Sequence, residues 1–551
     1  MNDLRSGASR SPLSVRDADL RRLADETWDV LIVGGGIVGA GALLDAASRG
    51  LKAALVEQDD VASGTSSRSS RLIHGGLRYL EQMHVGLVRE ALHERARLLR
   101  LAPHLVRLES FLFPLYGLPV ATRAFYEAGM TMYDVLGSAK SGGRHRHLGV
   151  DETLEYAPSL RREGLRGAML YHDGMEDDAR YALAVMLTAR QQGGVAVTRV
   201  RATAALRDGD AVTGATVRDE LTGATFDVRA TSVLDATGVW GSTPDRPFGG
   251  EGATFNVLPS RGSHLVIARD RLPVKGGVTI RVPGKVVFLV PWPRHWVIGT
   301  TDDPYTGPVD RPSATGGDVD RILDALNGAF DVDITRADIV GTYAGLRPLI
   351  APSDASSTVK VSREHKVAVE GRGLVRISGG KYTTYRLMAR DAIDAVLGDG
   401  ARDRPSGTTA LRMTGAATRT ELYALQARIA QEPGVDTDAA TSLVDRHGTA
   451  ATDVVGIGRE RDLVRPLVDG HPFLEAEVAW AVERELAMSL DDVLARRMRL
   501  AMTLPDRGAQ VAPRVAAIAG EILGWDAARR DAEVARYLDG AHREFDVPPP
   551  G

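Results

Sequence analysis

No cysteine occurs in the 551 residues, and that absence excludes disulfides, thiolate metal sites and cysteine nucleophiles in one step. A cysteine-free chain suits a reducing cytosol. No apolar run approaches the roughly 18 to 20 residues that a membrane-spanning helix needs. The opening segment, MNDLRSGASRSPLSVRDADLRR, lacks the apolar core of a signal peptide, so neither spanning nor secretion is expected. An excess of one charge is missing as well. Lys and Arg number 68 against 72 Asp and Glu, a formal net charge of -4, which leaves no electrostatic footprint for nucleic acid.

What is present is an ordinary globular composition, 44 % hydrophobic and 25 % charged, in a chain too long for one compact core. Two or three domains are expected. Residues 1 to 27 are polar and read as a mobile extension with one helical turn. From Trp28 the text changes to WDVLIVGGGIVGAGALLDAASRGLKAALVEQ. The apolar β-branched run Val30 to Val33 meets glycines. A small-residue helix follows from about Ile37 to Ser48, Gly50 ends it, and Ala53 to Val56 form a second buried strand closed by Glu57. This is a βαβ unit. Further on, a helix is expected near Arg180 to Gln191, and repeated short β patterns (HLVIA, VTIRV, KVVFLVPW, HWVIGTTD) predict an antiparallel sheet over 254–302. After GDGARDRPSG the chain becomes charged and helix-rich, which places a domain boundary at 398–407.

Gly34, Gly36 and Gly39 form G-x-G-x-x-G between that first strand and helix, and Glu57 follows Gly39 by 18 residues. The strand, the helix and the terminal acid together satisfy the context a dinucleotide fold requires. The first glycine permits the tight turn, the second lets backbone approach a pyrophosphate, and the third lets helix and strand pack closely. The phosphate would rest on the positive helix end, and Glu57 would accept hydrogen bonds from a ribose hydroxyl.

Next comes SGTSSRSSRLIHGGLRYLEQ, residues 63 to 82. A nicotinamide enzyme has no particular need of a serine-rich segment here. FAD runs on from its adenosine end and needs donors along its length, which Thr65, Ser66, Ser67 and Ser70 offer without added charge. LDATGVWG, with Gly238, supports the same choice of cofactor, as a strand end that touches FAD in many two-domain flavoproteins.

With GGGIVGAG, TSSRSSRLIHGGLRYLE, MEDDARY, DATGVW, GSHLVI, PWPRHWVIGTTD, TYAGLRPL, SGGKYTTYR and EVAWAVERELAMSLDDVLARRMRL, the chain resembles FAD-dependent glycerol-3-phosphate dehydrogenase, the aerobic bacterial enzyme related to the mitochondrial one. The resemblance runs from about residue 28 to 500. It implies an α/β fold with a glutathione-reductase-like (Rossmann-type) FAD domain over 28–110, 165–250 and 340–400. An antiparallel-sheet substrate domain would occupy 111–164 and 251–339, and an all-α C-terminal domain 408–551. It further implies oxidation of sn-glycerol 3-phosphate to dihydroxyacetone phosphate by hydride transfer from C2 to flavin N5, with electrons passed to membrane quinone.

Such a reaction needs forked cations for a phosphate dianion. The resemblance places Arg78 and Arg347 there, with Tyr79 as a hydroxyl contact. His264 and His74 are the candidate bases for the C2 hydroxyl proton. Lys381 would bind substrate and stabilise developing negative charge. Gly75, Gly380 and Thr383 join the cofactor contacts, and no metal is expected.

Quinone as acceptor implies a cytoplasmic protein held peripherally on the inner face of the cell membrane. The basic, amphipathic segment 87–107 suits either an interfacial helix or a surface helix packed on the FAD domain. A homodimer is the expected assembly. The nearest rival is a glycerol-3-phosphate oxidase that hands electrons to oxygen and releases peroxide. An amino-acid oxidase of the same fold and a flavin-containing regulatory or tRNA-modifying scaffold are the others.

Overall fold

The computed structural model describes residues 11–76, 85–117, 120–136, 144–243, 246–248, 255–282, 285–351 and 364–551. Its first sheet runs in the order His365–Val369, Leu374–Gly379, Thr225–Asp235, Thr27–Val33, Ala53–Glu57 and Val195–Thr198, with Ala211–Asp219 and Val200–Asp208 attached beside Thr225–Asp235. The central strands are parallel, and Val30, Leu31 and Ile32 are completely buried, as a strand covered on both faces must be. Val33 lies level with Asp235 on one side and Val56 on the other. The carboxyl ends of three strands therefore finish together, where doubly wound sheets bind ligands.

The helix Ile37–Ser48 follows the first strand, as its small residues predict. A Cβ on Gly41 would come within 2.8 Å of the Tyr385 ring, so glycine there lets the helix Tyr385–Leu397 lie close against it.

The second sheet runs Asp303–Pro304, Asn256–Ala268, His295–Gly299, Lys285–Trp292, Gly277–Val282, Val106–Tyr116, Leu165–Glu176 and Leu72–Ile73, with Ile339–Ala351 on Asn256–Ala268 and Arg146–Leu148 on Leu165–Glu176. The antiparallel pattern expected over 254–302 is present, while Gly277–Val282 meets Val106–Tyr116 in parallel. Leu165–Glu176 and Ile339–Ala351 pair within this sheet, whereas sequence reading put 165–250 and 340–400 wholly in the FAD domain. Alternation identifies a strand without identifying its partner, and these two are paired by residues distant in sequence.

One expectation gives way to packing, and of the two readings of 87–107 packing favours the helix laid on the protein. Pro12–Asp25 is a 14-residue helix rather than a mobile extension. Leu23 is fully buried, and Arg16 pairs with the buried Asp219 at 2.6 Å. The amphipathic helix spans Val85–Leu101, and its apolar residues Val88, Leu92 and Leu98 are fully buried inside the protein, against Tyr133 among others. That face is therefore covered by the chain itself and not offered to lipid. No helix among the described residues is long and apolar enough to cross a membrane.

From 408 onward the regular structure is helical, including Arg419–Ile429, Thr437–His447, Ala451–Glu460, Ala476–Arg484, Ala512–Leu523 and Ala527–Phe545. Buried ion pairs tie these helices to the first half of the chain. Arg497 donates to both oxygens of Asp60 at 2.7 and 2.8 Å, and Arg180 pairs with Glu485 at 2.6 and 2.8 Å.

Candidate active site

A cavity of about 560 Å³ opens where the two sheets meet. The first sheet contributes the glycine turn. Gly34 has φ +112°, and a Cβ there would sit 2.7 Å from Ala236 O, so only glycine fits. On Gly39 a Cβ would fall 1.9 Å from Gly34 O, which makes this residue the close contact between helix and strand. Gly34, Gly36 and Val38 line the cavity.

Glu57 closes the neighbouring strand and is buried beside them. Its carboxylate accepts from Gly35 N at 2.5 Å and Asp59 N at 2.8 Å. Desolvation outweighs those bonds and pushes its pKa up to about 7.

The serine-rich segment divides by function. Thr65, Ser66 and Ser70 face the cavity, whereas Ser67 turns its hydroxyl to Gly64 O at 3.3 Å and does not line it. Ser66 Oγ accepts from Ile37 N at 2.9 Å and so caps the helix that would hold a pyrophosphate. Thr65 Oγ1 donates to Leu346 O at 2.5 Å, joining the loop to the second sheet. Gly75 also lies behind the wall. Its N–H reaches Tyr133 Oη at 2.8 Å, and a Cβ would collide with Leu92 and Tyr133.

Strand register in the second sheet brings the other candidates together. His264 stands opposite both Gly299 and Tyr343, and Ser260 opposite Arg347. His264, His74, Arg347, Lys381, Gly238, Gly380 and Thr383 all line the same cavity. Arg78 and Tyr79 lie outside the described residues.

His264 is 2 % exposed and stacked on Tyr343 with ring centroids 4.6 Å apart. Its Nε2 lies 2.8 Å from Ser70 Oγ, while Nδ1 is buried without a hydrogen-bond partner among the described residues. Burial, helped by the nearby Arg347 and Arg71, lowers its pKa to about 3, so the ring is neutral at ordinary pH. His74 is held through its main chain, its N–H 3.2 Å from Thr383 Oγ1. Lys381 follows Gly379 and Gly380, whose φ angles of +80° and +77° turn the chain out of its strand.

Arg347 sits in a polar cradle that sequence reading missed. Its Nη1 donates to Asp302 Oδ1 at 3.2 Å, and Nη2 to Thr300 Oγ1 and Thr301 O at 3.1 and 3.2 Å. A Cβ on Gly262 would be 2.6 Å from Nη2, so glycine leaves the room the guanidinium occupies. Asp302 belongs to the GTTD text, but nothing local in that text shows which arginine it meets.

This donor set fits FAD. The strained glycine turn and helix end suit a pyrophosphate, Glu57 a ribose, and the hydroxyl-bearing loop the rest of an extended dinucleotide.

Comparison with known proteins agrees. Residues 29–386 match a family described as FAD dependent oxidoreductase, and 406–530 match the C-terminal domain of alpha-glycerophosphate oxidase. The chain is 44 % identical over 526 residues to glycerol-3-phosphate dehydrogenase 2 of Mycobacterium tuberculosis, covering 94 % of this chain and 88 % of that one. It is 35 % identical over 553 residues to the mitochondrial glycerol-3-phosphate dehydrogenase of Bos taurus, covering 96 % and 75 %. The crystal structure of glycerol-3-phosphate dehydrogenase from Bacillus halodurans complexed with FAD superimposes with a TM-score of 0.80 at 28 % identity, over 97 % of this chain and 98 % of that one.

Proposed function

The chain belongs to the FAD-dependent glycerol-3-phosphate dehydrogenase family, and from that premise we propose that it oxidises sn-glycerol 3-phosphate to dihydroxyacetone phosphate and passes the electrons to a membrane quinone. The observation that carries this reading is the meeting of Arg347, Lys381 and a neutral His264 in one cavity with the glycine turn. When bound, FAD supplies the acceptor, taking the C2 hydrogen as hydride at N5.

The protein's own residues do the rest. Arg347, its guanidinium aimed by the cradle, binds the substrate phosphate. His264 accepts the C2 hydroxyl proton at Nε2, the nitrogen that Ser70 Oγ faces from the cavity wall. A protonated imidazole could not serve; burial keeps this ring neutral, and the same burial makes it a weaker base than a free imidazole. Lys381 offsets negative charge on the substrate oxygen while the proton leaves. His264 and Arg347 come from the second sheet and the glycine turn from the first, so the site is assembled between the two.

Quinone delivery, a cytoplasmic place on the inner membrane face and assembly as a homodimer complete the proposal. Their support is the resemblance to the aerobic dehydrogenase. Anaerobic titration of the purified holoenzyme with sn-glycerol 3-phosphate, followed in the visible flavin band, tests the reading. Loss of colour on substrate addition and its rapid return with a soluble quinone are expected. No loss of colour overturns the substrate. Return that is as fast in air alone, with peroxide formed, replaces the dehydrogenase by an oxidase.

A further inference from the structure

The helix Ala527–Phe545 runs almost wholly beyond residue 530, where the family match ends, yet it finishes against the cofactor loop. The contact is Glu544, whose Oε1 accepts from Arg68 Nε at 2.7 Å. These side chains are 8 % and 7 % exposed, so both are more than nine-tenths buried.

Arg68 lines the FAD cavity, and its Nη1 donates to the carbonyls of Ser63 and Gly64, which line it too. One guanidinium therefore ties the start of the loop to its middle. The backbone of the loop is itself closely packed. A Cβ on Gly64 would reach the Trp240 ring at 2.7 Å, and one on Gly345 would reach Arg68 O at 2.4 Å. Through its two donated hydrogen bonds the guanidinium helps hold the cavity wall at Ser63 and Gly64.

A guanidinium buried this deeply needs a counter-charge, and removing the partner leaves an uncompensated charge that must move towards water or reorient. Reorientation would free the two carbonyls of the loop. We propose that Glu544 is a positioning residue for FAD: it neutralises and aims Arg68, so that the last helix of the chain completes the wall of the cofactor cavity.

The test compares wild-type, Glu544→Gln, Glu544→Asp and Asp546→Asn holoenzymes by the rate of FAD release on dilution, read as the rise in flavin fluorescence, alongside their thermal midpoints. Asp546 docks the same tail through Arg507 at 2.8 Å without touching the loop, so it reports tail docking alone. Glu544→Gln is expected to release FAD about tenfold faster, the loss of one charge-assisted hydrogen bond. Glu544→Asp, which keeps the charge on a shorter arm, should fall between it and wild type, and Asp546→Asn should match wild type. Equal release rates throughout overturn the proposal. So does acceleration by Asp546→Asn as large as that by Glu544→Gln. If Glu544→Gln does not fold, Glu544→Asp against Asp546→Asn decides by the same criteria.

Discussion

Ser260 and Arg347 face each other directly across two antiparallel strands, and the carboxylate of Asp302 accepts from both, at 2.5 Å from Ser260 Oγ and 3.2 Å from Arg347 Nη1. The cation proposed to hold a phosphate is therefore aimed before substrate arrives. Preorganisation of this kind spares the cost of ordering a long side chain during binding.

Arg347→Ala should raise KM for glycerol 3-phosphate by tenfold or more, since a charge-assisted pair is worth roughly 1.5 to 3 kcal/mol. Flavin content should stay at the wild-type level. Asp302→Asn should raise KM less, because the amide still accepts a hydrogen bond but no longer attracts the guanidinium. Steady-state kinetics on flavin-loaded variants would check both, and an unchanged KM in Arg347→Ala would remove that residue from the site.

His264→Asn should cut kcat by about a hundredfold or more, the range for losing a positioned base, while FAD remains bound. In the wild type, kcat/KM should show no acidic limb from this ring between about pH 5 and about pH 9, because a group with pKa near 3 is already neutral there. A pH–rate profile on each protein is the measurement. An acidic limb near pH 6.5 that disappears in His264→Asn would contradict the neutral-ring assignment.

Glu57 predicts a pH dependence of the opposite sense. Burial raises its pKa from 4.5 to about 7, so the folded state holds an extra proton between those values. Its contribution to apoprotein stability is full below 4.5 and is lost as pH rises through about 7. The carboxylate is the better acceptor for a ribose hydroxyl, so FAD should bind the apoprotein several-fold more tightly at about pH 8 than at about pH 6. Glu57→Gln should flatten both trends, which denaturation and fluorescence titration can read separately.

Gly36 and Gly39 should fail differently. The Gly36→Val side chain would enter the cavity beside Ser66 Oγ, so the protein should fold with little or no flavin. Gly39→Val would drive a Cβ to within 1.9 Å of Gly34 O and should destabilise the βαβ unit itself. Circular dichroism together with flavin content distinguishes the two, and full flavin occupancy in Gly36→Val would contradict the proposed phosphate turn.

The sequence by itself determined the nucleotide-binding unit. Strand, glycines, helix and Glu57 lie within about thirty residues, and each is dictated by local sterics and periodicity, so the text and the structure coincide from Trp28 to Glu57. The strands of 254–302 were legible for the same reason. Tertiary structure alone decided what those strands pair with and what meets in the cavity. Leu165–Glu176 and Ile339–Ala351 join the second sheet through hydrogen bonds to remote strands. Asp302 meets Arg347 across 45 residues, and Glu544 meets Arg68 across 476. A buried charge chooses its partner by position in space and by the desolvation it must offset, and neither quantity is written in the neighbouring residues. The polar N-terminal segment shows the same limit, because its helix is held by Leu23 and by an Arg16–Asp219 pair that only the folded chain brings together.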